Sequence, residues 1–267
     1  MTFGGRGEPT DAVALVSYVA AVKDDPDTLG VLLHGSRASG RHSEDSDYDL
    51  IRIVTQEAYD ARRKDAALLK RITLGDGTKG DVLYQTPAGI ETYVTTLGWY
   101  TATYLGARVV FDRHGDIGTM LARMRVEANR VARENVPAAY DEYLNSFVRS
   151  MKSARRGDEL GRTLHAADSA LALIRTLFGL ESTWPPYHDG LAAALPAIEE
   201  AQGWPTGYLS MALGRLVGDG DPSFQQELED EVERLLTSRG VEHEWGEDEL
   251  EPLKALRFGG DARHRTS

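Results

Sequence analysis

Two aspartates, Asp47 and Asp49, stand at the entrance to an apolar run, "DYDLIRIVT". A glycine–serine pair, Gly35 and Ser36, closes the apolar run before it, "TLGVLLHG". If the second run is a strand, residues two apart share a face, roughly 6.5–7 Å apart along the chain. Both carboxylates then project together and Tyr48 points the other way. Two carboxylates that close repel unless they are protonated or bridged by a cation. A hard divalent ion with oxygen ligands, most simply Mg²⁺, relieves the repulsion and keeps positions open for water and substrate phosphates. A glycine at a strand end lets backbone approach a phosphate closely. Backbone N–H groups there, with the Ser36 hydroxyl, can donate to phosphate oxygens. Arg37, Ser39, Arg41 and Ser43 add donors in the same loop. Ser46 either donates to a phosphate or caps the strand entry.

These residues need elements to position them. Thr10 or Asp11 can cap a helix through "AVALVSYVAAVK". "TLGVLLHG" and "DYDLIRIVT" read as two strands, and "EAYDARRKDAALLKRI" has helical spacing. "DVLYQT" reads as a third strand, "GIETYVTTLGWYTATYL" as a helix, and "ARVVFDR" as a fourth strand closing on a turn. After Asp116 the pattern is helical throughout, in segments beginning at Asp116, Ala138, Glu159, His188 and Pro222. The fold class expected is α+β: a mixed sheet with flanking helices over 1–116, and an all-α helical bundle over 117–240. A charged, glycine-containing extension follows over 241–267, with one further helix and a frayed tail.

Composition sets the outer limits. Of 267 residues, 41% are hydrophobic and 27% charged, the balance of a globular protein. No apolar stretch approaches the roughly 20 residues a membrane span needs, so no membrane partner is expected. The first residues, "MTFGGRGEPTDA", show no apolar core of a secretory signal, and there is no cysteine to form disulfides or thiolate metal sites. A cytoplasmic location is the expectation. The net charge of −12 disfavours nucleic acid as a partner, because affinity for it comes largely from Lys and Arg on phosphates. A cationic small molecule would be attracted.

The pattern of an apolar run, Gly35-Ser36, and then Asp47-x-Asp49 resembles the nucleotidyltransferase superfamily, the DNA polymerase β-like fold. "HGSRASG" followed by "SDYDL" is similar to the aminoglycoside and lincosamide nucleotidyltransferase branch. So is "FVRSMKSARRGDELGRTLHAADSALALIRTLFGLESTWPPY", which resembles that branch's helical domain. The resemblance implies that Gly35 and Ser36 hold the β- and γ-phosphates of a triphosphate such as ATP, with Arg37, Ser46 and Lys152 as further nucleotide contacts. It implies two Mg²⁺ ions on Asp47 and Asp49, and a third carboxylate on a neighbouring strand. Asp81, at the start of "DVLYQT", stands in that place, either as metal ligand or as the base for the attacking hydroxyl.

The helical half offers weaker candidates. Arg149, Lys152 and Arg156 fall at i, i+3 and i+7 and make one basic stripe, facing either a triphosphate or solvent. Asp168 shares a stripe with Leu164, Leu171 and Phe178, and an acid there needs a partner: a cationic acceptor, or a nearby base such as Arg175. Trp184, Tyr187 and Trp204 either stack on a ligand or pack. His165 and His188 have no ligand spacing with acids, and His34 is expected to point into or behind the sheet.

The expected activity is Mg²⁺-dependent transfer of a nucleoside monophosphate, AMP from ATP, to a hydroxyl on a small molecule, the resemblance suggesting an aminoglycoside-type antibiotic. Two other readings stand beside it: an antitoxin-type AMP-transferase acting on a partner protein, and a nucleotide-binding module without catalysis.

Overall fold

The computed structural model describes residues 9–95, 98–242, 245 and 250. The chain divides into two compact units, Met1–Ala128 and Asn129–Ser267. The first holds α1 (Pro9–Val22), β1 (Thr28–His34), the short α2 (Gly35–Ala38), β2 (Tyr48–Val54), α3 (Gln56–Lys64), β3 (Leu69–Thr73), β4 (Lys79–Gln85), α4 (Pro87–Thr95), α5 (Trp99–Leu105) and β5 (Arg108–Asp112). Helix α6 (Asp116–Glu134) runs through the division. The second unit continues with α7 (Val136–Arg155), α8 (Glu159–Leu180), α9 (His188–Gln202), α10 (Tyr208–Gly218) and α11 (Pro222–Ser238). Mixed sheet followed by helices is the α+β class expected. No helix among the described residues is long and apolar enough to cross a membrane. The expected cap at Thr10 or Asp11 and most of the 241–267 extension lie outside the described residues or side chains.

The five strands run in the order β3-β4-β2-β1-β5. β1 pairs antiparallel with β2 and β5, β2 parallel with β4, and β4 antiparallel with β3. Strand alternation sorts the side chains onto two faces. Val31, Leu33, Tyr48, Leu50, Val82 and Tyr84 form the back core with Ala14 of α1 and Ala58 of α3. Leu32, Ile51 and Ile53 form the front core with Ile90 of α4, Tyr104 of α5 and Met120 and Met124 of α6. The sheet is thus buried on both faces, which is why β1 and β2 read as nearly continuous apolar runs. Arg52 is the buried exception, and its Nε donates to Thr28 Oγ1 at 2.9 Å while its guanidinium pairs with Asp25.

Two expectations need correction. The segment 57–72 is not one helix: α3 ends at Lys64, the chain turns through Ala66 at φ 53°, and Leu69–Thr73 forms edge strand β3. The signal for this strand was the Asp76-Gly77 turn that follows it. Thr78 N donates to Asp76 Oδ1 at 2.9 Å and Gly77 takes φ 89°, a tight hairpin on which Leu69–Thr73 folds back along β4. The segment 89–105 is two helices, α4 and α5, rather than one.

In the helical unit, Tyr140, Tyr143, Leu144, Phe147 and Met151 make the buried stripe of α7. It meets a stripe of mostly small residues on α8, including Ala166, Ser169, Ala170 and Leu173, which allows the two axes to come close. One buried charge organises the next corner. Glu199 of α9 accepts from the backbone N–H groups of Gly207 and Leu209, each at 2.8 Å, at the start of α10. Glu199→Ala strands both donors in the interior. Urea denaturation should show a loss of about 2–3 kcal/mol.

Candidate functional site

The site is set by strand register. β1 places His34 opposite Asp49, and β2 places Asp49 beside Asp81. β4 places Asp81 opposite Arg71 of β3. One row of side chains therefore crosses four strands on the front face as His34, Asp49, Asp81 and Arg71. Each stands about one strand spacing, about 4.8 Å, from the next. The rows beneath it, starting with Leu32, Ile51 and Leu83, belong to the front core. Asp47 lies two residues before Asp49, just outside β2, and extends the acidic cluster beyond the sheet. Asp81, from a segment distant in sequence, thus joins Asp47 and Asp49 at one end of the sheet.

The Gly35 turn closes over this cluster. Gly35 has φ 71°, in the left-handed region, and a Cβ there would lie 2.2 Å from Asp49 Oδ2. Backbone conformation and the Asp49 carboxylate independently require glycine. The carbonyls of Gly35 and Ser36 turn inward to the loop, accepting from Ser39 Oγ at 3.1 and 3.0 Å, while Arg41 N also donates to Ser36 O at 2.9 Å. In planar trans peptides the following N–H groups, those of Ser36 and Arg37, point the opposite way. The first N–H groups of any helical turn lack partners within it, which leaves them to serve an anion.

Arg37 and Ser46 hold the loop rather than facing outward. Arg37 is buried, its Nε donates to the carbonyls of Ser46 and Asp47 at 2.9 and 3.2 Å, and its guanidinium lies 4.3 Å from the Tyr48 ring centre. Ser46 Oγ accepts from Ser43 N at 3.0 Å. Both residues were read as nucleotide contacts, and the bonds they make in this structure fix the backbone that carries Asp47.

The electrostatics show strain on one group. Burial, and then the neighbouring charges of Asp47 and Asp81, raise the Asp49 carboxyl above the usual carboxylate range. Among the described residues no three His, Asp or Glu side chains already close into a metal cage. Asp81 Oδ1 lies 3.4 Å from Arg71 Nε. The donor set nevertheless fits a hard divalent ion: it is all oxygen, it lies on adjacent strands, and its mutual repulsion is what a cation would relieve. His34, read as pointing into or behind the sheet, lies on the row of Asp49. Burial pushes its imidazole down to about 4.

The remaining candidates belong to the helical unit. Lys152 is exposed in the last turn of α7. Arg149 on the same helix donates to Asn145 Oδ1 at 3.0 Å, and Arg156 lies just past the helix end. Asp168, Leu164 (57% exposed) and Leu171 (43%) face outward, while Phe178, read on the same stripe, is buried in the helical core. Asp168 Oδ2 lies 4.0 Å from His165 Nδ1, and Arg175 pairs instead with Glu142. The small residues on the opposite side of α8 form its buried face, a choice that helical spacing alone does not make. Trp184 lines a cavity of about 400 Å³ with Asn135, Glu142, Arg175 and Pro185, and its backbone N–H donates to Asn129 Oδ1 at 3.1 Å. Tyr187 is exposed and stacks on His188 with ring centres 5.9 Å apart. Trp204 packs against Tyr208 at the edge of the helical core.

No family model matches this chain, and no curated protein matches it. Among solved structures it is similar to a nucleotidyltransferase-like protein from Exiguobacterium sibiricum 255-15, at 12% identity and a TM-score of 0.47. The alignment covers 92% of this chain and 80% of that one.

Two outcomes follow from the site's electrostatics and packing. Gly35→Ala forces a left-handed alanine and displaces Asp49. It should lower stability by about 1–2 kcal/mol in urea melts and weaken any cation-induced stabilisation. His34 and Asp49 have opposite pH effects. The lowered His34 value makes stability fall as pH drops from 6.5 through about 4, because the unfolded chain binds that proton first. The raised Asp49 value makes stability rise over the fall through its own pKa, because the folded chain binds that proton first. Urea midpoints measured from pH 7 to 4 should therefore fall more steeply in Asp49→Asn than in the parent, and less steeply in His34→Gln.

Proposed function

We propose that this chain is a divalent-cation-dependent nucleotidyltransferase that moves a nucleoside monophosphate, AMP from ATP, onto a hydroxyl of a small molecule. The observation that carries the reading is the register that sets Asp49 beside Asp81, under a turn whose Gly35 cannot accept a Cβ. Asp47, Asp49 and Asp81 are the residues that would hold Mg²⁺. When bound, the ion supplies charge neutralisation at the transferring phosphate and the departing pyrophosphate.

The chain's own groups do the rest. Gly35 brings backbone against the triphosphate, and the N–H groups of Ser36 and Arg37 with the Ser36 hydroxyl donate to its β- and γ-oxygens. Arg37 and Ser46 keep the Asp47 loop in one geometry, so the carboxylates need no reorganisation at the moment of reaction. Asp81, at the outer end of the acidic row, takes the proton of the acceptor hydroxyl. The acceptor oxygen bonds to the α-phosphorus, the bond from that phosphorus to the bridging oxygen breaks, and pyrophosphate leaves with the electron pair.

The test is transfer of label from α-labelled ATP with Mg²⁺. Asp49→Asn should lower transfer by at least about 100-fold. It should also raise the melting temperature of the cation-free protein by about 2 °C or more, since a charge disfavoured by burial and by its acidic neighbours is gone. Loss of transfer in a more stable protein separates a site residue from a structural one. Undiminished transfer in Asp49→Asn would refute the assignment.

A further inference from the structure

The sheet order gives the site a direction, and that direction bears on what the acceptor is. Resting on the nucleotidyl-transfer reading above, we infer that the acceptor is a small anion, a hydroxyl compound bearing phosphate or carboxylate, that enters over Arg71 and Lys79. The Gly35 turn follows β1, so the phosphates lie on the β1 side of the acidic row. The attacking and leaving oxygens of an in-line displacement sit on opposite sides of the α-phosphorus. Pyrophosphate on the β1 side therefore puts the acceptor on the β4–β3 side. The first side chain beyond Asp81 on that side is Arg71, with Nε 3.4 Å from Asp81 Oδ1 and its side chain 89% exposed. Lys79 stands two residues before Asp81 in the same strand and so on the same face, paired across to Thr73. The acceptor side of the row is thus edged by two cations and a hydroxyl.

This is a local reversal of sign. Arg71 and Lys79 stand on the front face in a chain whose net charge is −12, while Lys70 lies on the other face of β3 and Arg62, Arg63 and Lys64 are on α3 behind the sheet. Cations on an edge strand also discourage edge-to-edge pairing. That duty is served from either face, and it does not place both Arg71 and Lys79 beside the reacting carboxylates. Two cations suit an acceptor with one or two negative charges. A polyanion would meet the repulsion of the whole chain. A polycation of the aminoglycoside type would meet Arg71 and Lys79 first.

The test fractionates the small molecules of a cell extract by ion exchange into anionic, neutral and cationic pools. Each is incubated with the full chain, Mg²⁺ and α-labelled ATP. Label should enter the anionic pool, Lys79→Glu should raise its half-saturating amount more than tenfold, and Lys79→Arg should restore it. Phosphatase treatment of that pool beforehand removes the acceptor if its charge is a phosphate and leaves it if a carboxylate, and either result supports the inference. Label in the neutral or cationic pool, or in none, overturns it, as does anionic labelling indifferent to both Lys79→Glu and Arg71→Glu. Calorimetry of ATP binding with and without Mg²⁺ separates the two levels: Mg²⁺-dependent binding with label in the cationic pool leaves the nucleotidyl-transfer reading standing and removes only this inference, while absent binding removes the reading itself.

Discussion

Repulsion between carboxylates on neighbouring strands is the constraint around which the first unit is organised. Backbone hydrogen bonding holds β2 and β4 at a fixed spacing, and the register assigns Asp49 and Asp81 to adjoining places in it. Neither side chain can retreat along the sheet, because the rows beneath are filled by Ile51, Leu83 and the helices that cover them. The Asp49 carboxyl is raised above the usual carboxylate range first by burial and then by the charges of Asp47 and Asp81. Such a conflict persists in a folded protein only when the surrounding structure over-determines it. Here that structure is a sheet buried on both faces.

The supporting parts make sense in relation to that conflict. The Gly35 turn closes over Asp49 without adding an atom that would displace it. Arg37 sets its guanidinium against the carbonyls of Ser46 and Asp47 and the Tyr48 ring, which ties down the backbone that carries Asp47. Arg71 meets Asp81 from the β3 side, the side away from Asp49.

Much of this was legible in the sequence because it is local. Period-two alternation placed Asp47 and Asp49 on one face with Tyr48 behind them, and a glycine before a serine marked the turn. Asp81 was reached only through resemblance, since no local pattern tells which strand lies beside β2. The positions of Arg71 and Lys79 depend on β3, which helical composition in "LLKRI" concealed and the Asp-Gly turn after it disclosed. Arg37 looked like a loop donor because sequence does not show which way a long side chain folds. Asp168 was set on the wrong side of α8 for a related reason. Its leucines form a stripe, but alanine, serine and threonine opposite them let α7 approach more closely, and close packing decided the buried face.

The parallel pairing of β2 with β4 ties folding to chemistry in an all-or-none way. Gly80 and Val82, on either side of Asp81, belong to the back of the sheet, where a Cβ at Gly80 would meet the Tyr48 carbonyl at 3.0 Å. A slip of one residue in β4 would put Asp81 beside Tyr48 or Leu50 at the back of the sheet and swing Gly80 or Val82 into the acidic row. A misaligned sheet is therefore also a misfolded one: the register that buries the core is the register that gathers the carboxylates.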